Sequence, residues 1–468
     1  MSEQQFHHAL TVNPEKCFGC THCMSICPTE AIRVRNGKAL IYEHKCIDCG
    51  MCYRVCPAKA IEVEQDDFQT IFNFERRVIL YPSVLTGQFP NEINTPQIIA
   101  ALKHLGFTDV FEVEHGSDFL TQTIQDYIQQ NTDRKPLISS FCPAIVRLIQ
   151  VKFPSLVENI IHIKPPLDIA AIYYRKKLEE EGITPQKIGI FYITPCAAKI
   201  AAVKSPVGEE RSSIDGVINL DFIYNLILKT IKANPKMTVS QEELPTLRHQ
   251  SIRWALTNGE ADRFEGRCLA IDEVHNAMEF LEKLENDEIP PVDFIEIRAC
   301  DESCPGGILN VENRFIVVDR LKKRAKQQKN FLLEYKFENA LMNYSSFLKE
   351  NCTISDIKPR SMLAMDSDTN KALSKLERVR ELMCFLPGID CGVCGAPSCR
   401  VLAEDIVGKK AQLSDCVFIR TKMQTNKSLG NKISYNITKK IWGEHCMDKN
   451  CYRKGAKNEH QTPPSNEL

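Results

Sequence analysis

Two runs near the amino end share one cysteine spacing. Cys17-Phe-Gly-Cys20-Thr-His-Cys23-Met-Ser-Ile-Cys27-Pro28 is repeated as Cys46-Ile-Asp-Cys49-Gly-Met-Cys52-Tyr-Arg-Val-Cys56-Pro57. A 4Fe-4S cubane needs four thiolates. Two-residue spacings let one loop reach three irons, and the fourth cysteine of each run goes to the other cluster. The pattern therefore predicts Cys17, Cys20, Cys23 and Cys56 on one cluster, and Cys46, Cys49, Cys52 and Cys27 on a second. A lone Cys-x-x-Cys could hold zinc, but eight cysteines in a doubled pattern argue for cubanes.

Two further groups could bind metal. Cys142, Cys196, Cys300 and Cys304 follow apolar segments that read as strands: Leu137–Phe141, Ile188–Ile193 and Phe294–Ile297. Open α/β sheets build their sites at the carboxyl ends of strands, so these four thiols are candidates for a third cubane. Free cysteine also serves as a small buried hydrophobe, and Cys268 is expected to be structural. Near the carboxyl end, Asp390-Cys391-Gly-Val-Cys394-Gly-Ala-Pro-Ser-Cys399 is followed by Cys416. Here three thiols lie on a loop and helix start, and a helical turn returns the fourth; zinc is the alternative ligand. Cys352 and Cys384 have no partner at ligand spacing and read as structural. His445-Cys446 with Cys451 is a weaker metal candidate.

The elements that must carry these groups alternate in an α/β rhythm between 78 and 320. Val78–Tyr81 reads as a strand, and Thr95-Pro96 offers an N-cap followed by proline at the first helical position. Ile98, Ile99, Leu102 and Leu105 share one helical face closed by Gly106. The strand Asp109–Val113, the helix Leu167–Glu181 closed by Gly182 and the strand Lys187–Thr194 continue the pattern. The segment 319–350 is charged and helical, a connector. Beyond Arg420 the sequence is basic and closes on polar, proline-containing sequence expected to be disordered.

Bulk properties narrow the class. The chain has 468 residues, too many for one core. Its 59 Lys and Arg nearly cancel its 60 Asp and Glu, so net charge makes no case for nucleic acid. The 21 cysteines stand out. Met1–Leu10 has no apolar signal region, and no apolar run is long enough to span a bilayer. The expectation is a cytoplasmic metal-binding protein from an oxygen-poor setting, with no membrane span and no nucleic-acid partner.

The amino-terminal repeat resembles the two-cluster bacterial ferredoxin. Residues 78–320 resemble the catalytic-domain family of iron-iron (FeFe) hydrogenases, including its sensory and cubane-only relatives. Ser140-Phe141-Cys142-Pro143 is similar to that family's Thr-Ser-Cys-Cys-Pro, and Thr194-Pro195-Cys196-Ala-Ala-Lys199 to its Met-Pro-Cys-x-x-Lys. Phe294-Ile-Glu-Ile-Arg-Ala-Cys300-Asp-Glu-Ser-Cys304-Pro-Gly-Gly307 is similar to its third motif. The resemblance implies a cubane on Cys142, Cys196, Cys300 and Cys304. It also implies that Cys304 bridges to a diiron unit carrying CO and CN⁻, and that Lys199 holds a cyanide. Cys391 to Cys416 resembles the small 4Fe-4S domain of corrinoid iron–sulfur proteins and of an Rnf-complex subunit.

Several positions depart from the hydrogenase pattern. Phe141 replaces the cysteine that passes protons to the diiron bridge, and an outer carboxylate is replaced near Thr123. Thr194 and Arg298 replace the flanking methionines, Asp301-Glu302-Ser303 replaces small residues, and the glutamine expected around Asn310 is missing. Loss of a positioned acid–base group slows a reaction by about 10²–10⁴, so fast hydrogen turnover is not expected. Three readings remain: a slow or H₂-sensing hydrogenase-like protein passing electrons to a ferredoxin or signalling partner, a cubane-only electron-transfer module, or an enzyme with another proton route.

The expected fold is multidomain α/β. It comprises a two-cluster ferredoxin-like α+β head (1–70), a FeFe-hydrogenase-like α/β core (71–320), a helical connector (321–375), a small helical 4Fe-4S domain (376–435) and a basic tail (436–468). The expected cofactors are four 4Fe-4S clusters, and with a diiron unit the substrate is H₂.

Overall fold

The computed structural model describes residues 6–240, 247–334, 340–360 and 368–443. The chain is a mixed α/β multidomain protein that divides into two compact units, and the division falls inside the ferredoxin-like head. One unit takes residues up to Thr11, Glu43–Arg54 and the long segment from Glu62. The other takes Val12–Tyr42, Val55–Ile61 and the segment from Ala364.

The larger unit is built on two parallel sheets. Arg76–Tyr81 lies between Asp109–Glu112 and Ile188–Thr194, and Gly216–Asn219 flanks the latter. In the second sheet Phe294–Ile297 lies between Cys268–Ile271 and Leu137–Ile138. Parallel neighbours need crossovers, which here contain helices such as Thr95–His104, Pro166–Glu180 and Val274–Glu285. Every residue of Ile188–Thr194 is buried, as expected of a strand covered on both faces.

Local chemistry moves some boundaries. Asn94, not Thr95, caps the first long helix, because its side chain accepts from Gln97 N–H and the Gln97 side chain returns a bond to Asn94 N–H. The strand expected to reach Phe141 stops at Ile138. Ser139 N–H still donates to Ile295, but the Ser139 hydroxyl then accepts from Phe141 N–H and turns the chain out of the ladder. The charged helix Arg314–Glu334 buries Val317, Val318 and Leu321 against Val84 and Ile252. Its Arg324 grips Glu112 with two bonds of 2.6 and 2.7 Å.

The smaller unit joins a hairpin, Ile32–Arg35 with Lys38–Ile41, to a helical carboxyl-terminal domain. Asn36 and Gly37 take φ of 52° and 68° in the two-residue turn, the left-handed conformation such hairpins need. Val379, Leu382, Ala396, Val401 and Leu402 form the domain core. Where the basic sequence beyond Arg420 was read as a tail, helices run to Thr425 and over Asn431–Trp442. His445, Cys446 and Cys451 lie outside the described residues. Among the described residues no helix is long and apolar enough to cross a membrane.

Candidate functional site

Several candidate ligand cysteines stand where a strand or loop runs into a helix. Cys142 is the N-cap of Pro143–Lys152, Cys196 that of Ala197–Lys204 and Cys416 that of Val417–Thr425. Cys399 opens Cys399–Val407. The positive end of a helix favours thiolate over thiol, so these positions suit sulfur that must bind metal.

Cys17, Cys20, Cys23 and Cys56 line one small pocket with Gly19, Ala39, Ala58 and Ala60. Burial and the three other thiols push Cys23 up to about 12. A thiol placed as Cys23 is stays protonated unless a cation displaces the proton, which fits a metal cluster. Backbone N–H groups point at the sulfurs: Ala39 at Cys17 (3.3 Å), Ala31 at Cys27 (3.2 Å) and Ala60 at Cys56 (3.2 Å). The last two repeat one i, i+4 relation in both halves of the head. Cys46, Cys49 and Cys52 lie in the larger unit. Cys27, in the smaller one, is assigned to them by the repeat alone. Behind Cys46, buried Asp48 accepts from His8 at 2.9 Å, Ala9 N–H at 3.1 Å and Arg147 at 2.7 Å. His8, Cys46 and Asp48 place ligand atoms within 4.8 Å of one another, but Asp48 is already committed to these donors and braces the cysteine loop.

Cys391, Cys394, Cys399 and Cys416 line another small pocket with Gly392, Ala396 and Leu402. Cys394 is raised to about 11 by burial, with Cys416 and Cys391 adding to the shift. Asp390 fastens the loop by accepting from Cys399 N–H at 2.6 Å.

In the α/β core, Cys142, Cys196, Cys300 and Cys304 are brought together. Burial raises Cys300 well above its ordinary value, and Cys196, Cys142 and Cys304 each add to the shift. Cys196 is pushed up to about 12 by burial, with Cys304 and Cys142 among its neighbours. The turn between the last two ligands is strained: Glu302 and Ser303 take φ of 61° and 57° without being glycine. Asp272 ties it down, accepting from Glu302 N–H at 3.1 Å and from Thr257 at 2.7 Å. Thr194 and Asn310, at two of the departing positions, are braces. Thr194 Oγ1 bonds to Cys196 backbone, and Asn310 Nδ2 donates to the carbonyls of Cys304 and Pro305, each at 2.8 Å.

Beside Cys304 lies a cavity of about 90 Å³ lined by Phe141, Pro195, Lys199, Trp254, Glu114 and Asp168, among others. Lys199 is 7% exposed, and its ammonium has a tyrosine hydroxyl, Tyr192 at 3.4 Å, as its hydrogen-bond acceptor. Its pKa is raised by Tyr192, Cys304, Cys196 and Glu114 against the opposing effect of burial. A buried ammonium with no bonded carboxylate among the described residues fits an anionic group in the cavity. Phe141 forms part of the wall, with Lys199 Nζ 4.5 Å and the Arg298 guanidinium 3.6 Å from its ring centre. Thr123 donates to Phe119 within its own helix at 3.2 Å and is not among the residues lining the cavity.

Arg298, which the sequence marks only as a departure from the motif, and several carboxyls gain their partners from the fold. Arg298 is held by Glu260 at 2.7 Å and Glu296 at 3.3 Å, and Ser139 donates to Glu260 at 2.8 Å, all buried. Desolvation lifts Glu260 to about 7. Desolvation and the Glu112 carboxylate raise Glu114 to about 8, and desolvation raises Asp168 to about 7. Both carboxyls, on the cavity wall, are thereby shifted toward the protonated form near neutral pH. Such carboxyls are recognisable only once the fold has buried them. Cys268, Cys352 and Cys384 do not line the pockets at Cys17, Cys304 and Cys391: Cys268 is half-buried on its strand, Cys352 packs in the core and Cys384 is exposed.

Clustered cysteines, with backbone N–H groups aimed at sulfurs of the head, suit an iron–sulfur protein. Residues 81–248 match the family model of the iron-only hydrogenase large subunit, C-terminal domain; residues 9–57 match a 4Fe-4S dicluster domain, and 386–418 an Fe-S cluster model. The chain is an FeFe-hydrogenase-like iron–sulfur protein. It is 26% identical over 228 residues to the NADP-reducing hydrogenase subunit HndD of Solidesulfovibrio fructosivorans, a match covering 44% of this chain and 33% of that one. It is 28% identical over 135 residues to iron hydrogenase 1 of Clostridium pasteurianum, covering 28% of this chain and 22% of that one. The chain thus spans a third or less of these relatives' length. Among solved structures, a variant of [FeFe]-hydrogenase HydA1 from Chlamydomonas reinhardtii superposes with a TM-score of 0.46 at 15% identity, covering 61% of this chain and 94% of that one.

Proposed function

We propose that the chain is a low-turnover or H₂-sensing hydrogenase-like protein in the cytoplasm, with four 4Fe-4S clusters and a diiron unit held at Cys304. It exchanges electrons with a redox or signalling partner. The observation that carries this reading is the cavity beside Cys304, lined by the buried Lys199, whose ammonium has no bonded carboxylate among the described residues. A diiron unit bound there would supply the chemistry that interconverts H₂ with protons and electrons. Cys304 would hold it by its thiolate, and Lys199 would donate to its anionic ligand. Phe141 neither accepts nor donates a proton, and its ring excludes water from that part of the wall. Glu114 and Asp168 hold protons on their carboxyl oxygens near neutral pH, which supports slow exchange by a route other than a cysteine at position 141.

One observation favours a second reading, a cubane-only electron-transfer module. The Arg298 guanidinium stacked on Phe141 places a second buried cation beside Cys304 and Cys142, and cations there stabilise the added electron of a reduced cubane. Infrared spectra of protein matured with the diiron unit separate the two. CO and CN⁻ bands that disappear in Cys304→Ser, while the ferredoxin-type signals persist, are the expected result. No bands in fully cluster-loaded wild type would leave the electron-transfer module.

A further inference from the structure

The carboxyl-terminal quartet and the quartet of Cys17, Cys20, Cys23 and Cys56 belong to the same compact unit, and the segments carrying them are bonded to each other. Val34 is the link. Its side chain lines the pocket of the first quartet, while its backbone N–H donates to Gly395 O at 2.9 Å. Gly395 is bonded directly to Cys394, and Ala396 lines the second pocket. A second link runs through Met24, next to Cys23: a Cβ built on Gly392, next to Cys391, would lie 3.0 Å from Met24 Cε.

The surroundings hold these links rigid. Buried Arg33 grips Asp405 at 2.8 and 3.4 Å. Arg35 donates to the same carboxylate at 3.1 Å, and to the carbonyls of Cys394 and Gly395 at 3.3 and 2.8 Å. Asn36 and Gly37 donate to Lys440 and Ile441 at 3.0 and 2.9 Å. Gly395 has φ +75°, and a Cβ on it would lie 2.3 Å from Val34 O, so the approach needs glycine there. A buried charge-assisted network with main-chain bonds gives one fixed geometry. Electron tunnelling through bonded and packed atoms needs that, because its rate falls steeply with separation.

We propose that these contacts make the two quartets one electron relay, in which the carboxyl-terminal quartet is the outer port and Val34–Gly395 with Met24–Gly392 is the bridge. Each quartet has two buried thiols, but an exposed one, Cys391, occurs only in the carboxyl-terminal quartet, which places the port toward an external one-electron carrier there. In each step one cubane loses the electron that the other gains; no bond breaks and no proton moves. The inference rests on the reading of both quartets as cubanes.

The test uses the full chain, reconstituted anaerobically with iron and sulfide and reduced. Iron is assayed and the clusters are followed by electron paramagnetic resonance. In Cys394→Ser/Cys399→Ser, iron should fall by about four, and the remaining Cys17-quartet signal should narrow and saturate at lower power. Loss of that iron without any change in the signal overturns the relay and leaves the cluster assignment standing. Undiminished iron overturns the assignment, and the relay with it. Gly395→Val opens the bridge while keeping every ligand. Full iron with loss of the spin–spin interaction supports the relay, and full iron with the interaction intact overturns the bridge.

Discussion

The Phe141 ring lies 3.6 Å beneath the Arg298 guanidinium and 4.5 Å from the Lys199 ammonium, a neutral residue between two buried cations. Its identity was readable in the sequence; its packing role was not, because Arg298 and Lys199 are far from it along the chain. Phe141→Cys restores a proton-carrying group and removes this aromatic face. Hydrogen evolution from reduced dye should rise about 10-fold, short of the roughly 10²–10⁴ that a positioned acid–base group contributes, because Thr123 supplies no carboxylate further out. Losing the packed ring should destabilise the protein by about 3–5 kcal/mol, read as a lower thermal midpoint. A cluster-loaded variant no faster than wild type would show that this position does not limit the rate. Arg298 makes a separate statement about potential. Its charge favours the reduced cubane, so Arg298→Met should lower the midpoint potential of that cluster by about 50–100 mV, as expected for one nearby charge on a one-electron couple. Glu260, already raised to about 7, can take a proton when its partner is lost, which limits the damage. A redox titration followed by paramagnetic resonance checks the shift, and an unchanged potential would remove Arg298 from any tuning role.

Elements deliver the ligands, and they do so through turns more than through the strands themselves. The strand Leu137–Ile138 is two residues long, yet it aims Cys142 because Ser139, bonded to both Glu260 and Phe141 N–H, fixes the exit. Apolar periodicity found the strand but could not show where it stops, since the residue that ends it is paired with a glutamate from a distant loop. The turn after Cys304 is tighter still. A Cβ on Gly306 would lie 1.9 Å from Asp301 O, between the last two ligands, and one on Gly307 would lie 2.5 Å from Pro195 O. The side chain of Arg54 adds a bond to Gly306 O. Gly306→Ala should therefore displace the ligand turn and lose about four irons, with the ferredoxin-type signals retained. Gly182, which ends Pro166–Glu180 at φ +86° with nothing within 4 Å, provides the contrast. Gly182→Ala should cost only the left-handed strain of about 1–2 kcal/mol and no iron. Equal iron loss in both variants would mean that the Gly306 turn has no special role.

At the scale of the molecule, cysteine spacing marks candidate quartets but not the units that carry them. Residues Val12–Tyr42 and Val55–Ile61 pack with the carboxyl-terminal domain, and Glu43–Arg54 packs with the α/β core, so the head contributes to both compact units. The pairing depends on single residues, Arg33 and Arg35 toward Asp405 in one unit and Asp48 toward Arg147 in the other. No spacing rule marks an arginine as the partner of an aspartate 99 or 372 residues away. The inventory of clusters follows from the quartets together. With Cys268, Cys352 and Cys384 set aside, sixteen described cysteines remain, which four cubanes would take up at about four thiolates each. Anaerobically reconstituted full-length protein should then hold roughly sixteen irons before any diiron unit, at about four per cluster. Replacing one cysteine in each quartet in turn should remove iron in steps of about four. Zinc in any quartet would appear instead as one metal ion, without acid-labile sulfide. A reproducible content of about eight irons in folded wild type, unaffected by Cys196→Ser and Cys399→Ser, would leave only the ferredoxin-type pair and remove both distal clusters.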